Sequence, residues 1–164
     1  QDSTRYLEEY GRLLENLDAG GRNISLKLTA LYSEFNSYAW DHTRQKVLER
    51  LKPFLLEAQA QGTAVTIDME TYPIKDLTIE IFMELLQDPQ LQNLDLSIAI
   101  QSYIKESRQD IEKIIAAGKN RALKPGVRLV KGANWDLDMG TAVTHGWPLP
   151  HFEQKTIYKF FSNL

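Results

Sequence analysis

The chain has 164 residues, 43% hydrophobic and 25% charged, with a formal net charge of −3. That is the make-up of one packed globular domain without the basic stripe of a nucleic-acid surface, so no nucleic-acid partner is expected. It has no cysteine, which excludes disulfides, thiolate nucleophiles, Cys-ligated zinc and iron–sulfur clusters.

Residues 5–18 are predicted to form an amphipathic helix: Leu7, Tyr10, Leu13, Leu14 and Leu17 recur at helical spacing and Gly20-Gly21 stops it. Residues 24–30 alternate, with Ile24, Leu26 and Leu28 against Ser25, Lys27 and Thr29, as in a half-buried strand. Asp41 is the expected N-cap of a long helix through Val47, Leu48, Leu51, Phe54, Leu55 and Ala58. Pro53 is expected to kink that helix and Gly62 to stop it. A second strand over residues 64–70 places Thr66, Asp68 and Glu70 on one face, and a helix over 76–86 ends before Asp88-Pro89.

The third strand, residues 94–101, carries Leu96, Ile98 and Ile100 on one face and Gln101 at the exit on the other. Ser107 and Asp110 have capping-box spacing and open a helix carrying Ile111, Ile114 and Ile115. Lys124-Pro125-Gly126 then turns into a fourth strand, Val127-Arg128-Leu129-Val130, which ends at Lys131-Gly132-Ala133-Asn134-Trp135-Asp136. A helix is expected from about residue 136, a loop over 146–150 and one more helix over 155–164.

Strand starts at 24, 64, 94 and 127, each followed by a helix, predict serial βα units and a parallel sheet. Residues 1–164 read as a single domain, with a leading helix in 1–22 and the strands and helices in 23–164. Parallel strands normally read as continuous apolar runs, but Lys27, Asp68, Glu70, Gln101 and Arg128 fall late in strands or on the less apolar face. Ligands in parallel α/β folds gather at C-terminal strand ends, so these five are expected to converge on one mouth. The competing reading is a polar layer of ion pairs inside a barrel.

No G-x-G-x-x-G follows a strand, no G-K-[ST] is present, and His42, His145 and His151 lack H-E-x-x-H spacing. Asp68 and Glu70 are candidates for a divalent metal, and equally for pairing with Arg128 and Lys27. From spacing alone the result is a βα barrel with a mixed-charge mouth, holding an anion at Lys27 and Arg128.

The stretch Arg128-Leu129-Val130-Lys131-Gly132-Ala133-Asn134-Trp135-Asp136 resembles the R-L-V-K-G-A-Y-W-[DE] strand of the proline dehydrogenase family. Residues 24–30 resemble its S-x-K-L-[ST]-[AS] strand, Ile67-Asp68-Met69-Glu70 its I-D-x-E strand and Gln101-Ser102-Tyr103 its Q-x-Y strand, all in the family's order. Trp147-Pro148 with Glu153-Gln154-Lys155 resembles the forms fused to a pyrroline-5-carboxylate dehydrogenase.

The resemblance implies a (βα)₈ barrel of which about the first four units are present after a helix. It also implies FAD as cofactor and oxidation of L-proline, or a related cyclic amino acid, to 1-pyrroline-5-carboxylate. Family roles carried over place Lys27 on the substrate carboxylate and Arg128 and Gln101 on the isoalloxazine. They place Asp68, supported by Glu70, at the substrate side, and Lys131, Gly132, Ala133 and Trp135 along the cofactor. Asn134 stands where the family has a tyrosine over the substrate, which bears on substrate choice.

The family's later strands and its substrate-binding arginine pair would lie beyond Leu164, so the piece alone is expected to turn over little. A fused or associated pyrroline-5-carboxylate dehydrogenase and a quinone acceptor are the partners the resemblance leaves open. No apolar run approaches the ~20 residues of a membrane span, and Gln1-Asp2-Ser3-Thr4-Arg5 does not look like a signal peptide. A cytoplasmic location is therefore expected, with peripheral contact at the inner membrane face left open. Two other readings are a metal-dependent barrel lyase or aldolase using Asp68 and Glu70, and an inactive half-barrel that self-associates through its open strand edges.

Overall fold

The computed structural model describes residues 3–16, 23–131 and 134–150. The elements are helix α1 (Ser3–Asn16), strand β1 (Asn23–Leu26), the short helix α2 (Leu28–Leu31), α3 (Trp40–Ala60), β2 (Ala64–Ile67), α4 (Lys75–Gln87), β3 (Leu96–Gln101), α5 (Ser107–Ala117), β4 (Gly126–Val130) and α6 (Trp135–His145). Single 3₁₀ turns at Tyr72–Ile74 and Pro89–Leu91 flank α4. The sheet is parallel throughout, in the order β1-β2-β3-β4.

The two faces of the sheet differ in chemistry. Ile24, Leu26, Val65, Ile67, Leu96, Ile98 and Ile100 are buried in one cluster with Val47, Leu51 and Leu55 of α3 and Leu77, Ile81 and Phe82 of α4. On the opposite face Ser25, Thr66, Ser97 and Gly126 are neighbours in register. Thr66 Oγ1 lies 2.7 Å from Ser97 Oγ and donates to Asn23 Oδ1 at 2.9 Å. A β-carbon at Gly126 would sit 2.7 Å from Ser97 Cβ, so this row closes only around a glycine.

Two buried cations tie the helical layer together. Arg121, 4% exposed, donates to the carbonyls of Leu86, Leu91, Leu94 and Leu123 and so gathers the loops that enter β3 and β4. Lys75 Nζ bonds Asp110 Oδ2 at 2.7 Å, joining the first turns of α4 and α5. At the leading end Leu14 of α1 is buried and Tyr10 meets the Phe54 ring at 5.9 Å.

Several boundaries depart from the sequence reading. The first strand stops at Leu26 because Leu28 and Leu31, three residues apart, are both buried, which one helical turn achieves and strand alternation does not. The second strand stops at Ile67, so Asp68 and Glu70 follow it and do not share its face. Helix α3 has Ala39 at its N-cap; Asp41 stands in the first turn, where its charge suits the positive helix end. Pro53 lies inside α3, and Gly62 follows that helix with a φ of +66°.

The expected capping box is also replaced. Ser107 donates its hydroxyl to the Gln101 carbonyl at 2.6 Å, and Asp110 is taken by Lys75. The expected end of the first helix at 18 and the helix over 155–164 lie outside the described residues. Among the described residues no helix is long and apolar enough to cross a membrane.

Candidate active site

The inner sheet face ends in a cavity of about 330 Å³, lined by Asp68, Met69, Ala99, Gln101, Arg128, Val130 and Asn134. It opens beyond the C-terminal ends of β2, β3 and β4. Alternation along β3 puts Ser97, Ala99 and Gln101 on this face, and register sets Ala99 beside Arg128 and Gln101 beside Val130. Arg128 Nη2 donates to Asp68 Oδ1 and Nη1 to Ser25 Oγ at 3.4 Å. The pair stays hydrated: the Arg128 side chain is 50% exposed and that of Asp68 25%.

Gln101 is 3% exposed. Its Nε2 donates to the Glu70 carbonyl at 3.0 Å, while its Oε1 is buried without a hydrogen-bond partner among the described residues. Asn134 Nδ2 donates to the same carbonyl at 2.6 Å. Around the cavity stand a cation, a carboxylate and a buried acceptor that has no hydrogen-bond partner among the described residues.

The Glu70 carboxylate turns the other way. It accepts Thr29 N–H at 3.2 Å and Thr29 Oγ1–H at 2.7 Å, across to the start of α2. With Lys27, Thr29, Ala30, Ser33, Tyr6 and Tyr10 it lines an open groove of about 620 Å³. Burial pushes the Tyr10 phenol above its ordinary value; a backbone hydrogen bond at Lys27 opposes this, and the charges of Asp68 and Glu70 add to it.

Of the five residues expected at one mouth, Asp68, Gln101 and Arg128 share the first cavity. Lys27 and the Glu70 carboxylate belong to the second, and the chain from Asp68 to Glu70 runs from one to the other. Asn134 joins the first cavity. Trp135 packs edge-on against Tyr103, with ring centroids 5.4 Å apart, and is not among the residues lining either space. Lys131 is exposed, and Gly132 and Ala133 lie outside the described residues.

Asp68 and Glu70 face different partners, and among the described residues no group of three His, Cys, Asp or Glu could hold a metal ion. Sequence reasoning missed the tyrosines. Tyr6 and Tyr10 are four apart on α1, a spacing that puts both on one side of a helix.

An open arc of four parallel βα units with a polar cavity at its C-terminal strand ends is part of an enzyme-type (βα)₈ barrel. The chain matches the family described as proline dehydrogenase over residues 1–157, and it belongs to that family. It is 28% identical over 127 residues to the bifunctional protein PutA of Escherichia coli (strain K12), covering 77% of this chain and 10% of that protein. It is 34% identical over 110 residues to proline dehydrogenase 1 of Bacillus subtilis (strain 168), covering 67% of this chain and 31% of that one.

Among solved structures, proline utilization A from Bdellovibrio bacteriovorus, inactivated by N-propargylglycine, superposes with a TM-score of 0.82 at 34% identity, over 94% of this chain and 18% of the other. Proline utilization A from Corynebacterium freiburgense gives 0.84 at 29% identity, over 93% and 16%. The chain thus spans about a tenth of the bifunctional relatives' length.

Proposed function

We propose that residues 1–164 form one unit supplying the first four βα units of a proline dehydrogenase barrel, whose assembled site oxidises L-proline to 1-pyrroline-5-carboxylate with FAD. The family, the relatives' names and the polar cavity support this reading. The observation that carries it is Gln101, a residue 3% exposed that lines the cavity beside Arg128 and whose Oε1 is buried without a hydrogen-bond partner among the described residues. A flat ring rich in hydrogen-bonding edges fits that pairing of an acceptor with a cation. Such a buried atom ordinarily finds a partner.

In this reading Gln101 and Arg128 hold the isoalloxazine, and the assignment of Lys131, Gly132, Ala133 and Trp135 to the cofactor rests on the family motif alone. Lys27 takes the substrate carboxylate in its groove; Asp68 orients Arg128, Glu70 fixes Thr29 beside Lys27, and Asn134 completes the substrate side. Proline loses a hydride from the ring carbon next to nitrogen and a proton from nitrogen, leaving a C=N bond. When bound, the flavin supplies the two-electron sink for that hydride. Arg128 supplies a fixed cation where negative charge collects on reduction, and it needs no reorganisation at that moment. The bifunctional relatives suggest that the product passes to a pyrroline-5-carboxylate dehydrogenase, fused or associated, and a quinone is the proposed electron acceptor.

The test is a titration of the purified chain with FAD, followed by addition of L-proline without oxygen. Saturable quenching of flavin fluorescence and bleaching of the visible bands by proline are expected. A flavin spectrum that stays as in free solution at every protein concentration would overturn the cofactor assignment. Bound flavin that a completed barrel fails to bleach with proline would overturn the substrate.

A further inference from the structure

The Glu70 carbonyl oxygen receives two side-chain amides, Asn134 Nδ2 at 2.6 Å and Gln101 Nε2 at 3.0 Å. Two lone pairs allow both. A carboxamide points its NH₂ and its oxygen apart, so seating the Gln101 NH₂ on Glu70 decides where its oxygen goes. The reverse orientation would set oxygen against oxygen.

Glu70 lies past the end of β2, in a segment whose carbonyl direction no sheet ladder fixes. Asn134 is anchored better. It stands at the N-cap of α6, and its own carbonyl accepts Asp138 N–H at 2.8 Å. It therefore holds the Glu70 carbonyl from the start of α6, and Gln101 follows. The tyrosine of the family motif carries no short amide to do this.

We propose that Asn134 is a positioning residue: by sharing the Glu70 carbonyl it keeps the Gln101 NH₂ on that carbonyl and so leaves the buried carboxamide oxygen unpaired, as acceptor for an N–H of the bound ring. The ligand half rests on the flavin reading above. In oxidised isoalloxazine the ring N–H is the one at N3, which names the probe.

The test has two arms on the full chain. In ¹⁵N–¹H spectra, with the Gln101 NH₂ pair assigned by its loss in Gln101→Leu, Asn134→Ala is expected to shift that pair and speed its exchange about tenfold, as for one lost hydrogen bond. Asn134→Asp, of equal shape but without the donor, should do the same. Unchanged Gln101 signals in Asn134→Ala, or wild-type behaviour of Asn134→Asp, overturn the proposal.

In the second arm FAD and N3-methyl FAD are titrated against wild type and Asn134→Ala. Methylation should weaken binding about tenfold in wild type and less than about twofold in the variant. Equal penalties in both proteins, or none in wild type, refute the assigned acceptor. A chain that binds neither flavin overturns the flavin reading and the ring as ligand, while the resonances alone decide whether Asn134 sets the carboxamide.

Discussion

Arg128 and Asp68 meet across a strand that belongs to neither of them. Arg128 is on β4 and Asp68 follows β2, while Ala99 of β3, in register with Arg128, lies between. A small side chain at 99 leaves that bridge open.

Arg128→Met separates function from folding. A pair this exposed contributes at most about 1 kcal/mol to stability, so the urea midpoint should barely move, while FAD affinity falls by more than about tenfold. A large loss of stability with flavin affinity intact would reassign Arg128 to structure.

Ala99→Leu fills the space under the ion pair. Overpacking costs about 1–3 kcal/mol, so helical circular dichroism at 20 °C should survive. Flavin fluorescence should no longer be quenched. Retained quenching would show that the ligand lies elsewhere.

Lys75→Met leaves Asp110, which is 2% exposed, with only the long contact from Lys113 at 3.5 Å as a cation among the described residues. Breaking such a buried pair costs about 3–5 kcal/mol, and replacing both partners, Lys75→Met with Asp110→Leu, should restore most of it. Burial pushes the Lys75 ammonium down, but the hydrogen bonds it donates to Asp110 and Asp76 outweigh this and raise it above the ordinary lysine value. A raised folded value means the contribution is full below about pH 10.4, the unfolded value, and fades as pH climbs through the folded one. Urea midpoints should therefore stay level up to about pH 10 and drop beyond, and Lys75→Met should remove that alkaline component.

Arg121→Lys keeps the charge and loses the planar fork that reaches four carbonyls. Each buried acceptor left alone costs about 1–3 kcal/mol, so a loss of at least about 2 kcal/mol is expected from equilibrium urea unfolding. A change under about 0.5 kcal/mol would mean that water replaces the guanidinium.

The order of strands and helices was legible because its signal is local. Ile24 with Leu26, Val65 with Ile67, and Leu96 with Ile98 and Ile100 alternate in sequence and are the side chains that α3 and α4 cover. Strand ends were not legible. Leu28 continues the alternation of Leu26, and only its burial together with Leu31 shows that the chain has already turned helical. The polar residues of the site were visible as charges out of place, yet their pairing was not. Asn134 meets Glu70 across 64 positions, Asp110 meets Lys75 across 35, and no short pattern encodes either contact.

The meeting point of Asn134 and Gln101 is a main-chain oxygen. No exchange of side chain at position 70 deletes it; proline there would still carry it. Variation at residue 70 therefore reaches the carboxamide only by redirecting the backbone, besides acting through the carboxylate on Thr29. A library randomised at position 70 would keep that oxygen in every member, whereas positions 101 and 134 have to be varied as a pair.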